Sequence, residues 1–373
     1  MKMDWRGVLG IGITVFLLWW VLRGVDVGQV LSEIQGANFL LLGLAVAIVT
    51  GTYVLRALRW KVLLHPINSG TSFRSRWAAV NIGFMANNLL PARAGEFARA
   101  YALARLEPVS IGAAFGSLVV ERFLDSLAIL GLLFVAMAAP GFPSEPMVGD
   151  VSLNGIISVV TLLLGTLLAG MVVLLIFPQP LVRLAERMVR FLPRKIRRLV
   201  VDSLEAFLDG LKVLRSPKYL PLAILWSVGL WAWHSLGFLV AFRAFGIDVG
   251  YDVALFVNAI IGFSVSVPSS PGFFGTFHMG ARVGLGVYGI PAGSTLAFAF
   301  GFHLGGFVPV TLVGLYYVWK LGLSLKEVET SESRVEEAVE REHPELSGSH
   351  GGGKDPGPAQ GGSRVARVGN RNG

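Results

Sequence analysis

The sequence contains no cysteine. That removes disulfides, thiol catalysis and thiolate metal sites. Charge is also scarce: 15% of residues are Asp, Glu, Lys or Arg, against roughly 25% in soluble globular proteins. The signatures of several enzyme classes are missing. The chain has no His-Glu-x-x-His, no Walker phosphate loop, no Gly-x-Ser-x-Gly and no clustered Asp pair of metal-binding type. Zinc hydrolysis, ATP-driven work and serine-hydrolase chemistry therefore have no motif to rest on. No cofactor and no metal are expected.

Apolar residues are abundant instead. They make up 53% of the chain and gather in runs of about 20, the length that crosses ~30 Å of hydrocarbon as a helix. The expected fold class is all-α, a polytopic helical membrane protein. Full spans are expected near 7–22, 38–58, 109–139, 153–177, 219–242 and 293–320. The first run ends in Trp19, Trp20 and Arg23, an interfacial aromatic anchor rather than a signal-peptide cleavage site. Two further apolar stretches are too short or too broken to cross. One, 77–90, is closed by Pro91; the other, 253–288, is interrupted by Pro268-Ser269-Ser270-Pro271-Gly272.

The formal charge is +8. A basic balance can signal nucleic acid, but Lys and Arg retained in cytoplasmic loops account for it here, and no nucleic-acid partner is expected. The loop after the second run carries Arg56, Arg59, Lys61, Arg74 and Arg76 without an acid, and residues 178–218 hold ten Lys/Arg. Both loops are therefore assigned to the cytoplasm, which puts both termini there, in the cytoplasmic membrane. The two broken stretches must then be re-entrant. Residues 1–325 form the expected transmembrane domain. Residues 326–373 are charged and then rich in Gly, Ser and Arg, and lack the apolar material to fold alone; a solvated cytoplasmic tail is expected.

An internal repeat is also expected. Asn38 to Pro91 spans 53 residues and Tyr219 to Pro271 spans 52. The two units would run in opposite directions, and paired Pro/Gly-interrupted segments in matching halves point to a transporter's binding site. Chance spacing is the competing explanation.

Three constellations carry the chemistry. In Asn87-Asn88-Leu89-Leu90-Pro91-Ala92-Arg93-Ala94-Gly95-Glu96-Phe97-Ala98-Arg99, Pro91 suits the first position of a helix reaching about Leu106. Arg93, Glu96 and Arg99 then share one face. The helix start would bind an anion through free N–H groups and its dipole, and the arginines add bidentate phosphate donors. The competing picture is a surface helix whose arginines reach lipid headgroups. In the second constellation, Glu121, Arg122 and Asp125 interrupt the 109–139 run. Each costs ~2.5–3.5 kcal/mol at mid-membrane unless paired, unless the run is two pieces with Glu121 at an interface. The third is Pro268 to His278, with Ser270 as N-cap, Pro271 as first helical residue and Gly272 allowing close approach. A simple proline kink is its alternative. Arg56 and Arg59, beside Trp60, are expected to snorkel at the interface. His234, His278 and His303 are expected to be hydrogen-bonded structural residues.

The runs N-N-L-L-P-A-R-A-G-E-F-A-R, E-R-F-L-D and P-S-S-P-G-F-F-G-T-F-H resemble the lysylphosphatidylglycerol synthase transmembrane-region family, also described as flippase-like membrane proteins. The resemblance covers about residues 5–322 and implies lipid translocation. It departs from the aminoacyl-transferring members, whose membrane part precedes a large soluble synthase domain. It departs again at His278, where the family pattern has an acidic residue. The expectation is a lipid flippase, not an enzyme, for a phospholipid or polyprenyl-linked sugar. Its binding residues would be Asn88, Pro91, Arg93, Glu96, Arg99, Glu121, Arg122, Asp125, Ser270, Gly272 and His278. The alternatives are a membrane enzyme acting on a lipid-linked substrate, and a non-transporting partner of an envelope synthase or glycosyltransferase.

Overall fold

The structure is a computed structural model. It describes residues 5–90, 94–144, 147–148, 151–152, 218–266, 271–331 and 333–335, with Ser158, Leu162, Gly165, Thr166 and Ala169 between them. Among these residues the fold is helical, with one minimal ladder in which β1 (Met147–Val148) pairs antiparallel with β2 (Val151–Ser152). The expected span at 153–177 and the basic loop up to 217 lie outside the described residues, isolated positions apart.

The chain opens with α1 (Trp5–Leu22) and α2 (Val27–Gln35). Gly24 at φ +73 turns the backbone between them, and Asp26 caps α2 by accepting from the amides of Gly28 and Gln29. The two axes bend by 86°. Next come α3 (Phe39–Leu64), α4 (Phe73–Leu89), α5 (Gly95–Leu106) and α6 (Ile111–Met137). Side chains of Asn38, Ser72 and Ser110 satisfy the first amides of α3, α4 and α6, the usual remedy for orphan donors at a helix start. The second half contributes α7 (Tyr219–Ala244), α8 (Tyr251–Ser264), a single 3₁₀ turn (Pro271–Phe273), α9 (Thr276–Gly286) and α10 (Ala292–Lys320). A short α11 (Leu325–Glu329) closes the series with a Ser324/Glu327 capping box.

Among the described residues, α3, α7 and α10 are long and apolar enough to cross a membrane, and the bent α1–α2 pair passes the same test only as a broken span. The 109–139 run is one continuous helix, α6, so the two-piece reading of it falls.

The interrupted stretches become helical hairpins. Gly83 of α4 faces Gly95 of α5 so closely that an added Cβ would lie 2.7 Å from the Gly95 carbonyl. In α8–α9, a Cβ on Gly280 would lie 2.9 Å from the Ile261 Cα. At 1.5 Å per residue, α5, α8 and α9 are only about 16–21 Å long, short of ~30 Å of hydrocarbon.

The two halves correspond element by element. Phe39 and Leu64 bound α3, and Tyr219 and Ala244, each 180 positions later, bound α7. The same offset relates Pro91, Gly95 and Phe97 to Pro271, Gly275 and Phe277, a Pro-x-x-x-Gly-x-Phe motif used twice. α3 and α7 pack antiparallel along their length: the Asn38 amide donates to the Ala244 carbonyl (2.8 Å) at one end, and the Tyr219 hydroxyl meets His65 Nε2 (3.0 Å) at the other. The packing is also interleaved, with α4 against α10 and α8 against α6.

Two helix starts differ from expectation. α5 begins at Gly95, not Pro91, and the Gly95 amide is already taken by Asn87 Oδ1 at 2.9 Å. Beyond Pro271, left-handed Gly272 (φ +72), Phe273 (φ 59) and Gly275 (φ +89) break helical continuity, so α9 starts only at Thr276. Packing also runs past residue 325: Val328 and Val335 are buried, and Arg334 Nη1 donates to the Tyr101 hydroxyl of α5 at 3.2 Å.

Candidate functional site

Four helices converge on one buried group of charges. From α6, Glu121 and Asp125 point the same way because four residues make about one turn. From α5, Arg99 grips Glu121 in two-pronged fashion at 2.6 and 3.0 Å, with its guanidinium 4.0 Å from the centre of the Trp60 ring. From α3, Arg56 and Arg59, also about one turn apart, both reach Asp125; Arg56 does so at 3.2 Å. Arg59 also reaches Glu121 at 3.2 Å and donates to Ser227 of α7 at 2.9 Å. Trp231 of α7 completes Asp125 through an indole N–H at 3.0 Å. Arg122 pairs with Glu121 at 2.8 Å and with Asp125 at 3.1 Å. Trp60 is itself held by Ser117 at 2.8 Å.

Arg56 and Arg59 correct the sequence reading. They are not interfacial snorkels: Arg59 is 0% exposed and Arg56 6%, and each has a carboxylate partner on α6, three helices further along the chain. Arg56 and Arg59 are three residues apart and Glu121 and Asp125 four, each pair about one helical turn, and that complementarity was the available signal. Ser227 and Trp231 gave no comparable signal.

Among the described residues, the ion-paired cluster holds four guanidinium groups against two carboxylates, a formal excess of two positive charges before Glu96 is counted. Arg59 Nε and Arg99 Nε are buried without a hydrogen-bond partner among the described residues. The side chain of Arg122 differs from the others in being 41% exposed. Glu96, in the first turn of α5, is half-buried and acts electrostatically on Arg122. A convergent set of forked donors with net positive charge, walled by aromatic rings, suits an oxyanion such as a phosphodiester.

The remaining expected site residues lie elsewhere. Asn88 bonds to Thr311 Oγ1 of α10 at 2.8 Å, tying the tip of the first hairpin to the second half. Gly272 lies in the second tip against Phe274 and Phe307. His278 is buried in a separate aromatic cluster with Phe274, Phe277, Phe300 and His303. Pro91, Arg93 and Ser270 lie outside the described residues. Among the described residues, no group of three His, Asp or Glu is arranged to hold a metal ion.

The apolar crossing helices and the charges enclosed among them define a multi-pass helical membrane protein. Residues 7–314 match the family model for the lysylphosphatidylglycerol synthase TM region, and the chain belongs to that family. Over 330 residues it is 24% identical to a UPF0104 membrane protein of Methanothermobacter thermautotrophicus, covering 82% of this chain and 90% of the relative. It is 31% identical over 137 residues to the glycosyltransferase AglD of Haloferax volcanii, covering 36% of this chain and 22% of that protein. A UPF0104 membrane protein of Methanocaldococcus jannaschii matches at 35% identity over 79 residues, 21% of this chain and 24% of the relative. The chain thus spans less than a quarter of the length of the last two.

Proposed function

We propose that this protein translocates an anionic lipid headgroup, of a phospholipid or polyprenyl-linked sugar, across the cytoplasmic membrane. The observation that carries this reading is the buried arginine cluster with more cations than anions. An enclosed excess of charge is costly in hydrocarbon and is relieved by an anion of two charges or fewer. In this reading α4–α5 and α8–α9 are re-entrant hairpins of an inverted repeat, six segments cross, and both termini are cytoplasmic. Arg122, the exposed member, receives the phosphate first. Arg99, Arg56 and Arg59 stand behind it, and Glu121 and Asp125 hold the guanidiniums in register. An apolar recess of about 340 Å³ between α3 and α7, lined by Leu55, Leu225, Trp226, Gly229, Leu230 and Trp233, supports the picture of lipid chains staying in the bilayer while the headgroup crosses.

The test is reconstitution in liposomes with fluorescent anionic and zwitterionic lipids. The expected result is faster loss of the inner-leaflet anionic label with protein than without, and no such effect for the zwitterionic lipid. Equal rates for both lipids overturn the role of the cluster. A second reading, association with a glycosyltransferase, is favoured by the match to the glycosyltransferase AglD of Haloferax volcanii. Co-purification of a glycosyltransferase, together with absence of translocation by the isolated chain, would favour it instead.

A further inference from the structure

Among the described residues the second half has no counterpart of the charged cluster, yet the corresponding helices hold two facing ionisable side chains. In the first half the pair is Arg99 on α5 and Glu121 on α6. In the second half α9 offers His278 and α10 offers His303, with ring centres 5.3 Å apart. His278 is 0% exposed. Among the described residues neither of its ring nitrogens has a hydrogen-bond partner, and His303 Nδ1 has none either. A buried unmatched polar atom typically costs about 1–3 kcal/mol, and such exceptions in native proteins call for a reason.

The surroundings supply one. Phe300 lies 4.1 Å from the His278 ring centre, and Phe277 stacks on His303 at 4.4 Å with 14° between planes. Phe274 flanks both imidazoles, at 6.0 and 4.9 Å. Aromatic faces attract a cation placed over them, so the cage offsets part of what burial costs one imidazolium. Two positive charges at this separation in a poorly polarisable interior repel strongly, so it admits one and not two.

Other charged or titratable groups on the helices packed around the pair are engaged elsewhere. Arg282, one turn beyond His278 on α9, donates to the Val21 carbonyl and its neighbours at the end of α1. Arg23, just past the end of α1, lies over Trp19. Asp252 of α8 acts on Tyr288 beyond the far end of α9. Glu33 of α2 reaches α10 at Gly293, roughly three turns before His303, and Lys320 ends α10 over Tyr316. His234 of α7 bonds Asn258 and is separated from the pair by Phe238. On α3, Arg56 and Arg59 face Asp125. On α4, Arg76 donates to the Ala57 carbonyl.

We propose that His278 and His303 form a binding site for one exchangeable proton, shared within the aromatic cage of the second hairpin. The site adjoins the turn that leads into α9: the Phe274 ring lies against both imidazoles, and Thr14 of α1 donates to the Phe274 carbonyl at 3.2 Å. Protonation therefore acts on the turn that connects the second tip to α9. The site stands on its own geometry; only its consequence for transport rests on the translocation reading.

The experiment records histidine ring ¹⁵N resonances of the full-length chain in lipid nanodiscs between pH 4 and 8. Wild type, His278→Gln, His303→Gln and Phe300→Leu are compared, the last keeping both imidazoles and so testing the cage without removing a titrating group. The expected result is one proton taken up by the pair, with each Gln variant moving the remaining ring's midpoint by about 1 pH unit or more, the mark of coupled sites. Phe300→Leu moves the midpoint as well. Rings that stay neutral throughout, or titrate at midpoints indifferent to the partner, overturn the proposal. Lipid translocation is measured on the same preparations. Coupled titration without translocation at any pH sinks the transport reading and leaves the proton site standing. Translocation with uncoupled rings does the reverse.

Discussion

Glu121 serves Arg59, Arg99 and Arg122 at once, so its removal leaves several buried cations short of a partner. Breaking a buried ion pair by deleting one side costs about 3–5 kcal/mol. Glu121→Gln is expected to lower stability by that order, read as a fall in the thermal unfolding midpoint in detergent. Arg122 is different. With 41% of its side chain exposed, its pairing with Glu121 and Asp125 is less enclosed than those of the other three arginines, and its loss costs less than theirs. Arg122→Gln should leave the unfolding midpoint within a few degrees of wild type while slowing anionic-lipid translocation about tenfold or more, a loss of ~1.4 kcal/mol in the transition state. A variant that keeps full transport rates would remove Arg122 from the lipid path. The separation of stability from transport is the useful signature here, because the other three arginines report both together.

At the scale of elements, the hairpins depend on glycine where backbones touch. A Cβ at Gly83 would meet the Gly95 carbonyl at 2.7 Å and Arg99 Cβ at 2.9 Å. Overpacking of this kind costs typically 1–3 kcal/mol, and Gly83→Ala should destabilise by that amount. Gly116 of α6 has nothing within 4 Å of an added Cβ, so Gly116→Ala should be neutral or stabilising by ~0.5–1 kcal/mol through helix propensity. Equal unfolding midpoints for the two variants would argue against close α4–α5 packing. The same elements mark where sequence reading stops. The breaks in the two apolar stretches were legible because length and proline limit a helix locally. Arg56 and Arg59 were not: a run ending Arg-x-x-Arg-Trp looks the same whether the arginines reach headgroups or a carboxylate on α6. Only the tertiary partner separates the two. The helix starts at Pro91 and Pro271 were misread for a related reason. Proline permits a helix start without requiring one, and left-handed backbone at Gly272 and Phe273 delays the second.

At the scale of the whole molecule, the 180-residue offset makes equivalent loops predictable. Asn68 follows α3 and Asp248 follows α7. In an inverted arrangement these positions face opposite sides of the membrane. Since the chain has no cysteine, Asn68→Cys and Asp248→Cys supply single labelling sites. An impermeant maleimide added to sealed cells should label Asp248→Cys and leave Asn68→Cys unmodified until the membrane is opened. Labelling of both from one side would dismantle the inverted repeat.

The ion cluster also constrains how the chain is made. Arg56 and Arg59 leave the ribosome more than sixty residues before Glu121 and Asp125. At about 5–20 residues per second that gap lasts on the order of 3–12 s. For that interval the C-terminal end of α3 holds two guanidiniums without the carboxylates that later pair with them. Neutralisation of these two arginines thus depends on a segment that is made later than the helix that carries them.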